Sequence, residues 1–131
     1  MIDDSPLEEA FPPQEHLSLY VHVPFCTVKC GYCDFYSVAG VPPATMKRLV
    51  STLLSDAERL LPPFLAGGSD SESVAGALAP ASPVTAPVRT VYFGGGTPSA
   101  LPSGQLLALL QGVRHLLPNK PFEWTVELNP E

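Results

Sequence analysis

The chain alternates between two spacings of apolar residues, and this alternation restricts it to a small set of folds. Three short apolar runs, at 17–23, 88–93 and 122–128, have the composition and spacing of half-buried β-strands. In the first of them, one face carries Leu17, Leu19, Val21 and Val23. Such runs predict strands with one side against a core.

Two longer runs between the strands have the i, i+3, i+4, i+7 spacing of amphipathic helices. The first begins at Pro42, where a missing N–H does little harm, and stops at the proline pair 62–63. For the second, Ser103 is the predicted N-cap and Leu117 the predicted last residue. Strand, helix, strand, helix and strand, joined by right-handed crossovers, predict an α/β fold with a parallel sheet of about three strands and two helices.

One segment interrupts this pattern. Of the 22 residues at 66–87, seventeen are Ala, Gly, Ser, Thr or Pro. Such a composition cannot bury enough apolar surface to offset its ordering entropy. We therefore expect a flexible insert at 66–87 within a core domain at 17–131, which follows an N-terminal extension at 1–16.

All three cysteines of the chain lie within eight residues of one another, directly after the first strand. Cys26, Cys30 and Cys33 have the spacing C-x3-C-x2-C. Three thiolates on one loop can bind three irons of a cubane iron–sulfur cluster, and the fourth iron is then open to a substrate. The spacing predicts a [4Fe–4S] cluster with these three cysteines as its metal ligands.

Two other uses of the cysteines compete with this one. A disulfide framework would need an even number of cysteines and a secreted chain, whereas the first six residues are acidic and show no apolar signal segment. A structural zinc site could use His22 as a fourth ligand, although such sites usually bring two pairs of ligands from separate turns. A small zinc protein therefore stays an alternative.

Composition sets the outer limits on function. The 131 residues make at most one ordinary domain, and a net charge of −6 disfavours nucleic acid as a partner. No apolar run has the length of a membrane span. Clustered free cysteines indicate a reducing compartment, so we expect a cytoplasmic protein.

Four motifs occur in a fixed order along the chain. They are LSLYVHVPFC at 17–26, CGYCDF at 30–35, YFGGGTPS at 92–99 and ELNP at 127–130. Together they resemble the oxygen-independent coproporphyrinogen III oxidase-like family of radical S-adenosylmethionine (SAM) proteins. The resemblance implies that the parallel sheet is the N-terminal part of a partial (β/α)6 barrel.

The resemblance also implies a division within that family. The oxidases carry a fourth cysteine two residues after the third, where this chain has Phe35. The pattern here is similar to the heme chaperone branch, which keeps the cluster and the SAM site, binds heme and delivers it to heme-accepting proteins. Coproporphyrinogen III oxidation by radical SAM chemistry is the alternative, so whether the chain is an enzyme stays open.

Site residues follow from the resemblance position by position. The implied SAM-contacting residues are Tyr20, Tyr32, Gly95, Gly96, Thr97 and Glu127. Strand parity independently places Tyr20 away from the Leu/Val face. His22 shares that face, and we interpret it as a satisfied core histidine and assign it no role.

The family's barrels have six βα units, and this chain supplies about half of such a barrel. We therefore expect an incomplete chain, of marginal stability and prone to associate, because a third strand without a following helix leaves an unpaired edge. The heme or porphyrinogen site is expected outside these residues.

Overall fold

A computed structural model describes residues 16–65, 86–118 and 120–130. The predicted N-terminal extension and nearly all of the predicted insert at 66–87 lie outside the described residues. The elements are, in chain order, β1 (Leu17–Val23), β2 (Phe25–Cys26), β3 (Val38–Ala39), α1 (Pro43–Leu60), α2 (Pro62–Leu65), β4 (Val88–Gly95), a 3-10 helix (Pro98–Ala100), α3 (Ser103–Leu116) and β5 (Glu123–Val126).

The predicted α/β fold with a parallel sheet is confirmed. The main sheet has the strand order β1-β4-β5, and both strand pairs are parallel. Because β1 and β4 are neighbours in space, the chain crosses over through α1 between them, and it crosses again through α3 between β4 and β5. Strands β2 and β3 form a separate two-stranded parallel pair beside the sheet.

The hydrophobic core lies between one face of the sheet and the helices α1 and α3. Phe93 and Leu109 are fully buried there, and the Phe93 ring stacks on Trp124 with centroids 5.4 Å apart. Burial of a side chain of this size stabilises the fold by about 1.5–3 kcal/mol. The core confirms the predicted face of β1, because Val21 and Val23 are buried in it.

The opposite face of the sheet is polar. Tyr20 on β1 pairs in register with Tyr92 on β4, and Tyr92 pairs with Thr125 on β5. Since alternate residues of a strand point to opposite faces, these three side chains share the face away from the helices. This face carries the chemistry described below.

The start of α3 differs from the prediction. Ser103 is the first helical residue and not the N-cap; the N-cap is Pro102, and it makes no side-chain capping hydrogen bond. The backbone carbonyl of Pro102 instead accepts hydrogen bonds from the N–H groups of Gln105 and Leu106, at 2.8 and 3.0 Å. The extended conformation that proline favours is also that of an N-cap residue, which explains the shift.

The ends of β4 and β5 also differ from the prediction, and one short helix was not predicted. Helix α1 ends at Leu60, as the proline pair predicts, but Pro62 then opens the short helix α2 because proline fits a first helical position. Strand β4 continues to Gly95, and β5 is shorter than the predicted 122–128. Phe122 and Leu128, at the two ends of the predicted strand, lie outside β5 and are exposed.

Candidate cofactor site at the carboxyl ends of the strands

Three loops meet where the parallel strands end. The cysteine loop follows β1, the glycine motif ends β4, and Glu127 directly follows β5. A cavity of about 400 Å³ lies between them. Its lining includes most of the predicted site residues, namely Cys26, Cys30, Cys33, Gly95, Gly96, Thr97 and Glu127.

Backbone hydrogen bonds attach the glycine motif to the exit of β1. The N–H of Gly96 donates to the carbonyl of Val23 at 2.8 Å, and the N–H of Thr97 donates to the carbonyl of Phe25 at 2.6 Å. A Cβ on Gly96 would lie 2.5 Å from that same Phe25 oxygen. Only glycine permits this approach, so the residue type fixes the position of the motif against the cysteine loop.

Gly95 is required for a different reason. Its φ is +113°, in the region that side chains disfavour, and a Cβ there would lie 2.6 Å from the His22 ring. Its N–H points to the Glu127 carboxylate, with 3.3 Å between the nitrogen and Oε2. The glycine thus presents a backbone donor at the cavity wall.

The cysteine loop is closed at its base by backbone contacts. The N–H of Val38 donates to the carbonyl of Pro24 at 2.7 Å, and the β2–β3 pair continues this closure. At the tip, the N–H of Cys33 donates to the carbonyl of Cys30 at 3.1 Å. All three thiols are free, with Cys30 exposed and the other two partly buried.

The donor set around the cavity fits an iron–sulfur cluster. In a cubane each thiolate binds a different iron. The three sulfurs therefore need to surround one cavity, and they need not be close enough together to bind a single metal ion. No three Cys, His, Asp or Glu side chains in the described ranges form a group that could hold a single metal ion. The buried hydroxyl of Ser37, which lines the same cavity, has no hydrogen-bond partner within the described part of the chain. A buried donor beside three thiols suits a sulfur-rich ligand.

His22 gives the zinc alternative no fourth ligand. Its Nε2 lies 2.9 Å from the Tyr36 carbonyl, and its Nδ1 lies 3.1 Å from the Tyr20 hydroxyl. A carbonyl only accepts, so Nε2 carries a proton and donates to it. Both ring nitrogens are engaged, as expected of a satisfied histidine, but His22 is half-buried on the polar face and lies outside the hydrophobic core.

Glu127 lies one residue beyond β5, not within the strand as predicted. Its N–H continues the strand pairing by donating to the carbonyl of Phe93 at 3.0 Å. The Tyr92 hydroxyl donates to Glu127 Oε1 at 2.6 Å. This hydrogen bond, followed by desolvation and the carboxylate charge, raises the pKa of Tyr92 above its ordinary value.

The two predicted tyrosines do not line the main cavity. Tyr20 stands on the polar face with its ring 6.0 Å from that of Tyr92. Desolvation, with the Glu127 charge second, raises the pKa of Tyr20. Tyr32 is 90% exposed and lines a second cavity with Cys33 and Phe35, on the outside of the cysteine loop.

Tyr92, whose hydroxyl contacts Glu127, was not predicted as a site residue. The signal was available, because Tyr92 lies two residues before Gly94 and the glycine motif ends the strand. Alternation along β4 therefore puts Tyr92 and Gly94 on one face, below the cavity. Its pairing with Glu127 depends on the strand order, which the sequence alone does not fix.

A membrane span is not among the described elements, since none of the helices is both long and apolar enough to cross a bilayer.

Comparison with known proteins identifies several named relatives of this chain. No family model matches the chain. "Heme chaperone HemW" of Escherichia coli (strain K12) is 36% identical over 115 residues, which are 87% of this chain and 25% of that protein. The protein of the same name in Mycobacterium tuberculosis (strain ATCC 25618 / H37Rv) is 35% identical over 122 residues, 91% of this chain and 26% of that protein. "Anaerobilin synthase" of Escherichia coli O157:H7 is 30% identical over 122 residues, 92% of this chain and 23% of that protein.

Among solved structures, the chain is similar to coproporphyrinogen III oxidase (HemN) from Escherichia coli, which is described as a radical SAM enzyme. The TM-score is 0.60 at 23% identity, over 89% of this chain and 23% of that one. The fold of the described residues is therefore that of one part of this enzyme. The chain spans about a quarter of the length of the curated relatives it matches.

Proposed function

We infer that the chain belongs to the HemW-like radical SAM family, because its sequence matches heme chaperone HemW proteins and its fold matches part of a radical SAM enzyme. We propose that it forms the cluster- and SAM-binding part of a heme chaperone. One observation carries this proposal. The three cysteines, the glycine motif and Glu127, which are distant in sequence, line one cavity at the carboxyl ends of parallel strands, where α/β folds bind their ligands.

In this proposal Cys26, Cys30 and Cys33 are the thiolate ligands of a [4Fe–4S] cluster. When bound, the cluster supplies an electron and an open iron that can take the amino and carboxylate groups of SAM. The chain's own residues shape that environment. The Thr97 hydroxyl lies 3.8 Å from the Cys26 sulfur, within reach of a weak O–H···S contact, and the orphaned Ser37 hydroxyl is a second available donor. Hydrogen bonds to sulfur are one means by which proteins set cluster potentials.

SAM binding is assigned to the walls of the same cavity and the adjoining polar face. Gly95 and Gly96 let the backbone approach the methionyl end of the ligand, and Thr97 contributes from the same segment. The Glu127 carboxylate accepts hydrogen bonds from ribose hydroxyls. By the family resemblance we also assign Tyr20 and Tyr32 to SAM contacts, although neither side chain lines this cavity.

The heme chaperone branch is favoured over the oxidase by Phe35. This residue stands where the oxidases resemble one another in carrying a cysteine, and its side chain is 65% exposed beside Cys33. Several relatives are named heme chaperones. We propose heme as cargo and heme-accepting proteins as partners, in a reducing compartment such as the cytoplasm. Coproporphyrinogen III oxidation is the second candidate, because the solved structure that this chain resembles is that of a coproporphyrinogen III oxidase.

The cluster assignment is tested by anaerobic reconstitution with iron and sulfide. We expect four irons per chain and the visible absorption of a [4Fe–4S] cluster in the parent, and loss of both in Cys30→Ala. Val28→Ala, in the same loop but without a metal-binding atom, is the matched control and should keep the cluster. A Cys30→Ala chain with the iron content and spectrum of the parent would contradict the assignment.

The choice between chaperone and oxidase is tested by supplying coproporphyrinogen III with SAM and a reductant. We expect no protoporphyrinogen IX, whether the assay uses this chain or a longer protein that contains it, because Phe35 replaces the fourth cysteine. Heme titration followed by the Soret band tests the chaperone side. Product formation that requires both SAM and reductant would establish the oxidase instead.

A further inference from the structure

We propose that Tyr92 is a positioning residue, which holds the Glu127 carboxylate in one orientation so that its free lone pairs face a pair of ribose hydroxyls. This inference rests on the proposed function, since it concerns the same SAM site. It assigns a role to a residue that touches no atom of the cavity ligand itself.

The geometry around Glu127 supports the assignment. The Tyr92 hydroxyl donates to Oε1 at 2.6 Å, and the Gly95 N–H donates to Oε2 with the nitrogen 3.3 Å away. The two carboxylate oxygens therefore each have one donor, and both donors come from residues of strand β4. The Glu127 side chain is otherwise exposed, so without these donors it would sample several rotamers.

Gly94 is a second, independent sign that the contact is built into the strand. A Cβ at Gly94 would lie 2.7 Å from Tyr92 Cε1 and 2.8 Å from Glu127 Oε2. Any larger residue would push the tyrosine and the carboxylate apart. The absence of a side chain at this position leaves the space in which Tyr92 and Glu127 meet.

The held carboxylate has a defined chemical preference. An ionised carboxylate only accepts hydrogen bonds, and each of its oxygens has two lone pairs. Tyr92 and Gly95 each use one, which leaves one acceptor site on each oxygen. A ligand that presents two adjacent hydroxyl donors, as the 2′ and 3′ hydroxyls of a ribose do, can occupy both sites at once.

The test is a double-mutant cycle on SAM affinity in the anaerobically reconstituted chain. Tyr92→Phe should weaken SAM binding by about tenfold, the scale of a hydrogen bond to a charged group. In the Glu127→Ala background the same substitution should change affinity by less than about twofold, because Tyr92 then has no side-chain acceptor to hold. Methionine, which lacks the ribose, should bind the parent and Tyr92→Phe equally.

Tyr36→Phe is the matched control, since Tyr36 contacts His22 through its backbone carbonyl and its ring, and phenylalanine keeps both. It should bind SAM as the parent does. An unchanged affinity in Tyr92→Phe, or an equal loss with and without Glu127, would overturn the inference while the proposed function stands. A parent that takes up the cluster but binds no SAM would overturn the proposed function itself.

Discussion

At the scale of single residues, the Glu127 carboxylate contributes to the raised pKa values of Tyr92 and Tyr20, but to different degrees. Its hydrogen bond is the largest cause of the raised pKa of Tyr92, whereas desolvation is the largest cause for Tyr20. We expect Glu127→Gln to lower the pKa of Tyr92 more than that of Tyr20. Tyrosine titration followed by NMR measures both. An equal shift in the two residues would contradict the hydrogen bond.

The same shift has a consequence for stability at alkaline pH. A raised folded-state pKa means that the folded chain holds the phenol proton more tightly than the unfolded chain does. The stabilisation by Tyr92 is therefore complete below its ordinary pKa of 10.0 and is lost as pH rises through the folded-state value. Urea melts above pH 10 should show a smaller loss of stability in Tyr92→Phe than in the parent.

Gly96 offers a steric prediction. A Cβ there would lie 2.5 Å from a backbone oxygen, which cannot move aside as a side chain can. We expect Gly96→Ala to destabilise the fold by about 1–3 kcal/mol. Gly31→Ala, in the cysteine loop with nothing within 4 Å of its Cβ, is the matched control and should change stability little. Equal urea midpoints for the two variants would contradict the described approach of the motif to β1.

Most of the residues that line the candidate site could be predicted from the sequence, but the contacts between their side chains could not. The three cysteines and the glycine motif were predictable because spacing along one loop or one turn is local information. The hydrogen bond between Tyr92 and Glu127 was not, since it joins two strands whose adjacency is decided by tertiary packing. The contact of His22 with the Tyr36 carbonyl was not predictable either, since it joins β1 to a residue of the loop between β2 and β3, whose path is set by tertiary packing.

At the scale of elements, α3 shows how burial divides one helix into unequal faces. Leu109 is fully buried against the sheet, whereas Leu107, two residues earlier, is 54% exposed. We expect Leu109→Ala to destabilise the fold by about 2–5 kcal/mol through the cavity it leaves. Leu107→Ala should stay within about 0.5 kcal/mol of the parent. Similar unfolding free energies for both variants would place the core elsewhere.

Helix and strand periods predicted the elements, and the errors lie at their ends. The core stripe of α3 was predictable because four or five apolar residues repeat over several turns. Its N-cap was not, because Ser103 and Pro102 compete for the position and proline's fixed φ decides the outcome. Strand β5 was predicted too long, since the apolar alternation in the sequence continues to Phe122 and Leu128, which lie outside the strand and are exposed.

At the scale of the whole molecule, β5 is an outer strand of the described sheet, and it is flanked by exposed apolar side chains. Phe122 is 83% and Leu128 66% exposed. Unpaired strand edges of this kind pair with other chains. We expect residues 1–131 to associate as concentration rises in sedimentation velocity, and Phe122→Glu to reduce the association. Leu107→Ala, an exposed leucine on a helix, should leave it unchanged, and a parent that stays monomeric would contradict the prediction.

The attachment of the glycine motif to the end of β1 also affects which insertions and deletions such a chain can tolerate. Gly96 and Thr97 hydrogen-bond directly to Val23 and Phe25, across adjacent strands. Their positions relative to the thiols are set by this lateral contact and not by the length of polypeptide that connects them. Insertions and deletions between α2 and β4 can therefore accumulate without moving the site, because longer connections raise the closure entropy only slowly.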